Sequence, residues 1–436
     1  MNVRELALRF LGEYETEGKY VNLLLSSPLV SSLSQKEKSQ LTALLYTSVE
    51  NKLKYDYYIA ALSGRSIDKI DLQTKNLLRL GMCQILDMSG VPDFAAVAET
   101  VKLARHSGER AFVNGILRTV ARAKEEGNLP SPNPSKDVAR YLSIAYSFPK
   151  ATVKHFISLY GDENTEKLLR SFNTKRSTDI TVNTLKISRE KYLSLLHEAG
   201  ITASLSSFSS LSVRIYDPIA PRDLPGFSDG LFFVQDEACA VSSEILGIES
   251  GECVVDVCSA PGGKSFAAAI LSGDLGTVRS FDIHESKMSL IESGAERLGL
   301  KSVRLGVRDA REPEPSLIGK IDRVICDVPC SGLGVLGKKP DLRYKNDVSS
   351  DLSSVQYSIL RASFSYLRRG GTLVYSTCTL NPEENENVVR TFLSEESAAD
   401  FVDFSVGEYK SECGMMTLLP FVHGTDGFFI AKLIKK

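Results

Sequence analysis

The sequence predicts a multidomain protein with an all-α bundle in front, a small α+β module in the middle and a doubly wound α/β domain at the end. Three observations carry this. Apolar stripes at helical spacing fill residues 1–128. Three prolines crowd into the seven residues of L-P-S-P-N-P-S (Leu129 to Ser135). From Gly230 onward the pattern becomes strand, loop, helix, repeated. At 436 residues the chain is long enough for several cores.

In the first segment Ser34-Gln35-Lys36-Glu37 has the form of a capping box, with the serine oxygen taking an orphan amide and the glutamate returning to the cap. It opens a helix whose apolar face is Leu41, Leu44, Leu45, Val49 and Leu53. Further stripes are Leu77, Leu78, Gly81, Ile85 and Leu86, then Phe112, Val113, Ile116, Leu117 and Val120, which together predict a bundle. Within V-P-D-F-A-A-V-A-E-T-V-K-L-A-R (Val91 to Arg105) and F-V-N-G-I-L-R (Phe112 to Arg118), the small residues Ala95, Ala98 and Gly115 are read as places where helices approach closely. The proline cluster cannot sustain a helix and is read as a linker over 129–135.

The module at 136–230 alternates short elements. Helices are expected around Lys150 to Tyr160, near Glu163 to Phe172 and over Arg189 to Ala199, with strands at Asp179 to Asn183 and Ser212 to Tyr216. In the last domain, 231–436, strands are expected at Cys253 to Cys258, Thr277 to Asp282, Val303 to Val307, Arg323 to Asp327 and Thr372 to Ser376. Helices are expected at Lys264 to Leu271, Ser286 to Leu298 and Ser353 to Leu367, and G-F-F-I-A-K-L-I supplies a late strand.

Composition narrows the class. Apolar residues make up 43% and charged residues 24%, as in ordinary globular proteins, and no apolar run is long enough to span a membrane. The eight cysteines are scattered and include no C-x-x-C, which argues for a reducing cytoplasm and against both a disulfide framework and a metal site. The net charge of −2 conceals an asymmetry. The first 230 residues hold 30 Lys and Arg against 25 Asp and Glu (+5), and the last 206 hold 22 against 29 (−7). A polyanionic partner would be gripped by the first half, while the second half supplies the chemistry.

Three loops at strand ends carry that chemistry. In V-V-D-V-C-S-A-P-G-G-K, residues Cys258, Ser259, Ala260, Pro261, Gly262, Gly263 and Lys264 form a turn whose glycines admit a ligand close to the backbone, ahead of a helix N-terminus. Asp282 closes the next strand, where it can accept hydrogen bonds from a ribose diol. Asp309, in V-R-D-A, could meet an adenine amino group or serve as a turn aspartate. The other two loops each present a cysteine, Cys330 in D-V-P-C-S-G-L-G and Cys378 in V-Y-S-T-C-T-L-N-P. Cysteines at strand edges can act as nucleophiles when their thiolate is favoured. A thiolate adding to C6 of cytosine makes C5 enamine-like and able to take a methyl group, after which a base removes the C5 proton and the thiolate leaves. Spacing alone does not rank the two thiols.

These motifs carry a resemblance. S-A-P-G-G-K, D-V-P-C-S-G-L-G and Y-S-T-C-T-L-N-P-E-E-N are similar to the cofactor, P-C and T-C motifs of RNA cytosine-C5 methyltransferases. The A-x-x-A-E-x-V and V-N-G-x-L-R stretches resemble the RNA-binding helical domain of the NusB family. Together the chain resembles bacterial 16S rRNA cytosine-C5 methyltransferases of the RsmB (Fmu/Sun) type over its whole length. The resemblance implies a NusB-like RNA-binding bundle over 1–128, an RNA-binding module over 136–230 and a Rossmann-like domain over 231–436 that uses S-adenosyl-L-methionine. It also implies Cys378 as nucleophile, Cys330 as the residue assisting release, and a cofactor site of Cys258 to Lys264 with Asp282, Asp309 and Asp327. For Asp327 a place at the cytosine edge is the alternative. The partner implied is 16S rRNA or a small-subunit assembly intermediate, met by a cytoplasmic monomer, and the linker becomes a hinge between two RNA-contacting bodies.

The chain departs from the family at Val328, where alanine is usual, and at Thr181, where arginine often precedes V-N-T-L. Lys338, Lys339, Arg343 and Lys345 form a basic run after the P-C loop, read as phosphate contacts bordering the base pocket. Two rival readings compete. A DNA cytosine-C5 methyltransferase using Cys330 would leave Cys378 and the bundle without a role. An RNA-binding antitermination factor or chaperone with an inert methyltransferase fold would be expected to have lost a thiol or an acid.

Overall fold

A computed structural model describes residues 2–174, 177–344 and 352–436. The chain forms two compact units, one of Met1–Asn173 with Leu336–Asn346, the other of Thr174–Val335 with Asp347–Lys436.

The first unit is helical. Its main helices are α1 (Val3–Glu17), α2 (Gln35–Glu50), α3 (Lys52–Ser63), α4 (Leu72–Leu86), α5 (Asp93–Val101), α6 (Ser107–Glu125), α7 (Val138–Tyr146) and α8 (Lys150–Asn173). The capping box at Ser34 and Glu37 is present, and a second one forms between Asn2 and Glu5 at the start of α1. Leu41, Leu44, Leu45 and Val49 are buried as their spacing predicts, but the helix stops at Asn51, so Leu53 belongs to α3. Burial of Arg79 between Asp56 (2.7 Å) and Glu15 (3.0 Å) adds a charged centre to this apolar bundle.

Close helix approach occurs elsewhere than expected. Gly115 is exposed, with nothing within 4 Å of the place a Cβ would occupy, whereas a Cβ on Gly81 would fall 2.5 Å from Leu117. The α4–α6 contact therefore needs glycine at 81. The proline-rich 129–135 stretch is irregular, as expected, yet it joins helices of one unit: α7 beyond it packs on α3. The two units separate after Asn173 instead. A left-handed Gly161 (φ 74°) interrupts α8 between the two helical stretches expected there.

The second unit begins with an antiparallel sheet of β1 (Thr178–Val182), β2 (Ala203–Leu205), β3 (Ser212–Ile215) and β4 (Phe232–Val234), in the order β2-β3-β1-β4, with α9 (Arg189–Glu198) closing its core. Next come α10 (Glu237–Ile245), β5 (Cys253–Asp256), α11 (Gly263–Leu271), β6 (Thr277–Asp282), α12 (Met288–Leu298), β7 (Val303–Val307), β8 (Ile321–Asp327), α13 (Ser353–Ser365), β9 (Leu367–Thr377), α14 (Glu386–Glu395), β10 (Ala399–Phe401), β11 (Met415–Leu418) and β12 (Phe428–Lys435). These strands build one sheet in the order β10-β12-β9-β8-β5-β6-β7, with β11 on β12. The five strands from β9 to β7 are parallel, and β12 is antiparallel to β9. Strand order reverses at β5, with β6 to one side and β8 to the other, so the carboxyl ends of β5, β6 and β8 open a crevice.

Candidate functional site

Val254 and Val255 bury β5 in the core, the strand ends at Asp256, and beyond it the chain turns sharply through Ser259 to Gly262. Ser259 donates from both its amide (2.8 Å) and its hydroxyl (2.9 Å) to the Phe281 carbonyl on β6, tying the two strand ends together. Gly262 has a φ of 112°, and a Cβ there would lie 2.4 Å from the Phe266 ring, so only glycine fits. Asp282, at the end of β6, accepts the amides of His284 (2.9 Å) and Ala260 (3.3 Å).

A cavity of about 380 Å³ opens over these groups. Its wall includes Cys258, Ala260, Asp282, Asp309 and Asp327, and it reaches both Cys330 and Cys378. That size suits a nucleoside-bearing cofactor. His284, Lys287 and, from α13, Val355 and Ile359 also line it, none of which stands out in the sequence. Asp309 is held by a fork from Arg311 (Nε to both oxygens at 3.0 Å), which keeps its carboxyl below the ordinary range.

A smaller adjoining cavity of about 190 Å³ is walled by Gln235, Asp256, Ser259, Gly263, Lys264 and Asp327. Lys264 donates to Asp327 at 2.7 Å, and Ser376 donates to the other oxygen of Asp327 at 2.7 Å. Burial opposes the charge on Lys264, but Asp327 beside it outweighs this and raises the ammonium pKa. Asp256 is fully buried, and burial pushes its carboxyl up to about 7 despite the hydroxyl of Ser265 at 2.7 Å. One Asp256 oxygen and the Gln235 amide nitrogen have no hydrogen-bond partner among the described residues. Both residues line a space open to a ligand, and neither is visible in the sequence pattern, because each sits inside an apolar strand or at its edge. Thr181, where the family often has arginine, is buried and donates to Gln235 at 2.9 Å.

The thiols meet. Cys330 Sγ and Cys378 Sγ are 3.2 Å apart, although 48 residues separate them. The neighbouring thiol of Cys378 and burial push the Cys330 thiol well above its ordinary pKa. Their loops are clamped together by Glu384, which accepts the Ser331 amide (2.8 Å) and hydroxyl (2.5 Å), the Gln356 amide (3.0 Å) and the Asn381 amide (3.1 Å). Gly334 donates to the Cys378 carbonyl at 2.9 Å. Val328 is buried in the core just beyond β8 and also lines the cavity that reaches the thiols.

The basic run divides. Lys338 and Lys339 are exposed, and Lys345 lies outside the described residues. Arg343 corrects the expectation: it is 2% exposed, paired with Glu50 at 3.2 Å and stacked over Phe148 at 3.9 Å, so its guanidinium is not open to a phosphate. The fault lay in reading charge along the chain, since Glu50 and Phe148 are remote in sequence.

Among the described residues no group of three or more His, Cys, Asp or Glu is arranged to hold a metal, and no helix is long and apolar enough to cross a membrane.

A glycine turn that no side chain could replace, and an acid at the end of the next strand, fit S-adenosylmethionine, and comparison with known proteins bears on the same point. The family model for 16S rRNA methyltransferase RsmB/F matches residues 243–434, that for the NusB family residues 1–122, and that for the RsmF/B-like ferredoxin-like domain residues 148–221. The probable ribosomal RNA small subunit methyltransferase B of Bacillus subtilis is 36% identical, over 100% of this chain and 99% of that protein. The ribosomal RNA small subunit methyltransferase B of Escherichia coli O127:H6 is 32% identical, over 100% and 99%. Among solved structures, the crystal structure of PH0851 superposes with a TM-score of 0.79 at 27% identity, over 100% of this chain and 99% of that one. Fold and relatives thus define an S-adenosylmethionine-dependent methyltransferase with a NusB-type helical domain, a ferredoxin-like module and a Rossmann-like catalytic domain. The chain belongs to the ribosomal RNA small subunit methyltransferase B family.

Proposed function

We propose that this chain methylates C5 of one cytosine in 16S rRNA, with Cys378 as the nucleophile and Cys330 assisting release. The observation that carries the reading is the 3.2 Å approach of the two sulfurs at one end of the cavity that Asp282 and the glycine turn border. Bound S-adenosylmethionine supplies an electrophilic methyl group. Cys258 to Lys264, Asp282 and Asp309 hold it, and the carboxylate of Asp327, fixed by Lys264 and Ser376, borders both cofactor and base.

The thiolate of Cys378 adds to C6, and the C5–C6 π electrons make C5 nucleophilic. After C5 is methylated its proton passes to a base, the double bond re-forms, and the C6–S bond breaks with its electron pair returning to Cys378. The thiol of Cys378 and burial raise the Cys330 pKa, and the ranking of the two thiols rests on the likeness of their loops to the P-C and T-C motifs. The helical domain and the ferredoxin-like module grip the RNA, and Lys338 and Lys339 contact its phosphates. The protein acts as a cytoplasmic monomer on 16S rRNA, naked or within an assembling small subunit. The base must be unpaired or flipped to reach the thiols.

The test uses purified protein, S-adenosylmethionine and unmodified 16S rRNA. The expected product is 5-methylcytosine at one position, mapped by bisulfite sequencing. No methyl incorporation, methylation of another atom, or methylation of DNA in place of RNA would refute the reading.

A further inference from the structure

Two buried polar atoms of the second unit border the same small space without a partner. The Gln235 amide nitrogen and one Asp256 oxygen make no hydrogen bond among the described residues, and both residues line the cavity of about 190 Å³. Gln235 is 6% exposed and Asp256 1%, so neither is satisfied by bulk solvent. A buried donor or acceptor left unpaired in a native fold marks a missing partner, because its desolvation is otherwise uncompensated.

Local structure fixes which way the amide faces. Gln235 follows β4, and its backbone amide donates to the Asp179 carbonyl on β1 at 3.3 Å. Thr181, also on β1, donates its hydroxyl to the Gln235 side-chain oxygen at 2.9 Å, which turns the nitrogen the other way. That nitrogen lies 3.2 Å from the place a Cβ on Gly263 would occupy, beside the first residue of α11. Gly262 precedes the helix and has no side chain to cap it, so the amides of the first turn are left for a ligand. Lys264 spends its charge on Asp327 (2.7 Å), and Asp236 caps α10 by accepting the Ala238 amide (2.9 Å). The donors remaining for an anion are therefore the Gln235 amide and the first turn of α11. The unpartnered oxygen of Asp256 is an acceptor for a cation in the same space.

A carboxylate and an ammonium carried on one carbon match this set. We infer that the smaller cavity seats the amino-acid end of S-adenosylmethionine, with Gln235, held by Thr181, as the residue that selects for its carboxylate. Cys258, Ala260 and Asp327 line both cavities, so one ligand can reach from the larger into the smaller. The ferredoxin-like module thereby takes part in holding the cofactor, through β1. Thr181 stands where the family often has arginine, and its buried hydroxyl orients a neutral donor in place of a cation. The inference rests on the cofactor alone and not on the roles of the two thiols.

Binding to the full-length protein is measured by isothermal titration calorimetry with two probes: S-adenosylhomocysteine, which keeps the amino-acid end, and 5′-methylthioadenosine, which lacks it. Gln235→Leu should weaken S-adenosylhomocysteine roughly 10-fold or more, the usual range for a hydrogen bond to a charged group, and leave methylthioadenosine unchanged. Gln235→Glu, which sets an anion against the ligand's carboxylate, should lose more. Thr181→Val removes only the hydroxyl that turns the amide, keeps the side-chain size and should show a smaller loss, again confined to S-adenosylhomocysteine. Should Gln235→Leu fail to fold, Thr181→Val decides alone. Equal loss of both probes, or no loss of either, overturns the inference. So does unchanged S-adenosylhomocysteine binding with an altered choice between cytosine and uracil in the RNA, which would assign Gln235 to the base. Failure of the wild type to bind either probe removes the cofactor assignment on which the inference rests.

Discussion

The carboxylate of Glu384 grips Ser331 twice, at 2.8 Å from its amide and 2.5 Å from its hydroxyl. Through this grip the residue next to Cys330 is tied to the segment that follows Cys378, and the two thiols inherit a fixed separation. Gln356 and Asn381 complete the carboxylate's set of donors, so Glu384, at 3% exposure, is buried but saturated.

Glu384→Ala leaves these four donors without their acceptor. The expected result is a loss of about 3 kcal/mol in urea unfolding and a fall of about 100-fold in methyl incorporation. Glu384→Gln keeps one acceptor oxygen and should fall between the alanine variant and wild type in both measurements.

Asp256 gives the catalytic domain a distinct pH response. Burial raises its folded pKa from 3.8 to about 7, so between these values the folded state holds a proton that the unfolded state has lost. Its contribution is therefore fully present below about pH 4 and is lost as pH rises toward 7, at up to about 1.4 kcal/mol per pH unit. Thermal unfolding of Asp256→Asn at a series of pH values should show the variant gaining on wild type from pH 4 to 7 and a constant difference above that. A difference independent of pH would mean that folding leaves this carboxyl unshifted.

Two glycines should respond in opposite directions. Gly334→Ala forces a Cβ against the backbone oxygens of Gly427 (1.9 Å) and Cys378 (2.8 Å), and activity should be lost together with part of the stability. Gly115→Ala has open space in the middle of α6 and should raise stability by about 0.5–1 kcal/mol. Chemical denaturation of both variants checks the pair.

Much of the architecture is legible in the sequence because local pattern and tertiary outcome agree. The runs at 277–282 and 303–307 are strands with the expected limits, and the three loops that drew attention by their glycines and cysteines do meet at one cavity. What escaped was decided by partners distant in sequence. Arg343 looks like one more cation in a basic run until Glu50 and Phe148 enclose it. Glu384 reads as a helix-start acid in P-E-E-N, and its role emerges only with Ser331 and Gln356 beside it. Asp256 hides among apolar neighbours, and Gln235 sits at the end of a three-residue strand before Asp236 and Glu237, where a polar side chain gives no periodic signal. The short strands 203–205 and 232–234 are too brief to announce themselves, and sheet pairing with 212–215 and 178–182 defines them.

The assignment of unequal roles to Cys378 and Cys330 is the centre of the account, and adduct trapping tests it most directly. Full-length Cys330→Ala, Cys378→Ala and wild-type protein are incubated with S-adenosylmethionine and 16S rRNA, resolved on denaturing gels, and any cross-linked peptide is located by mass spectrometry. The account predicts an RNA adduct with Cys330→Ala, attached at Cys378, and neither adduct nor methylation with Cys378→Ala. An adduct formed by Cys378→Ala and attached at Cys330 would contradict it.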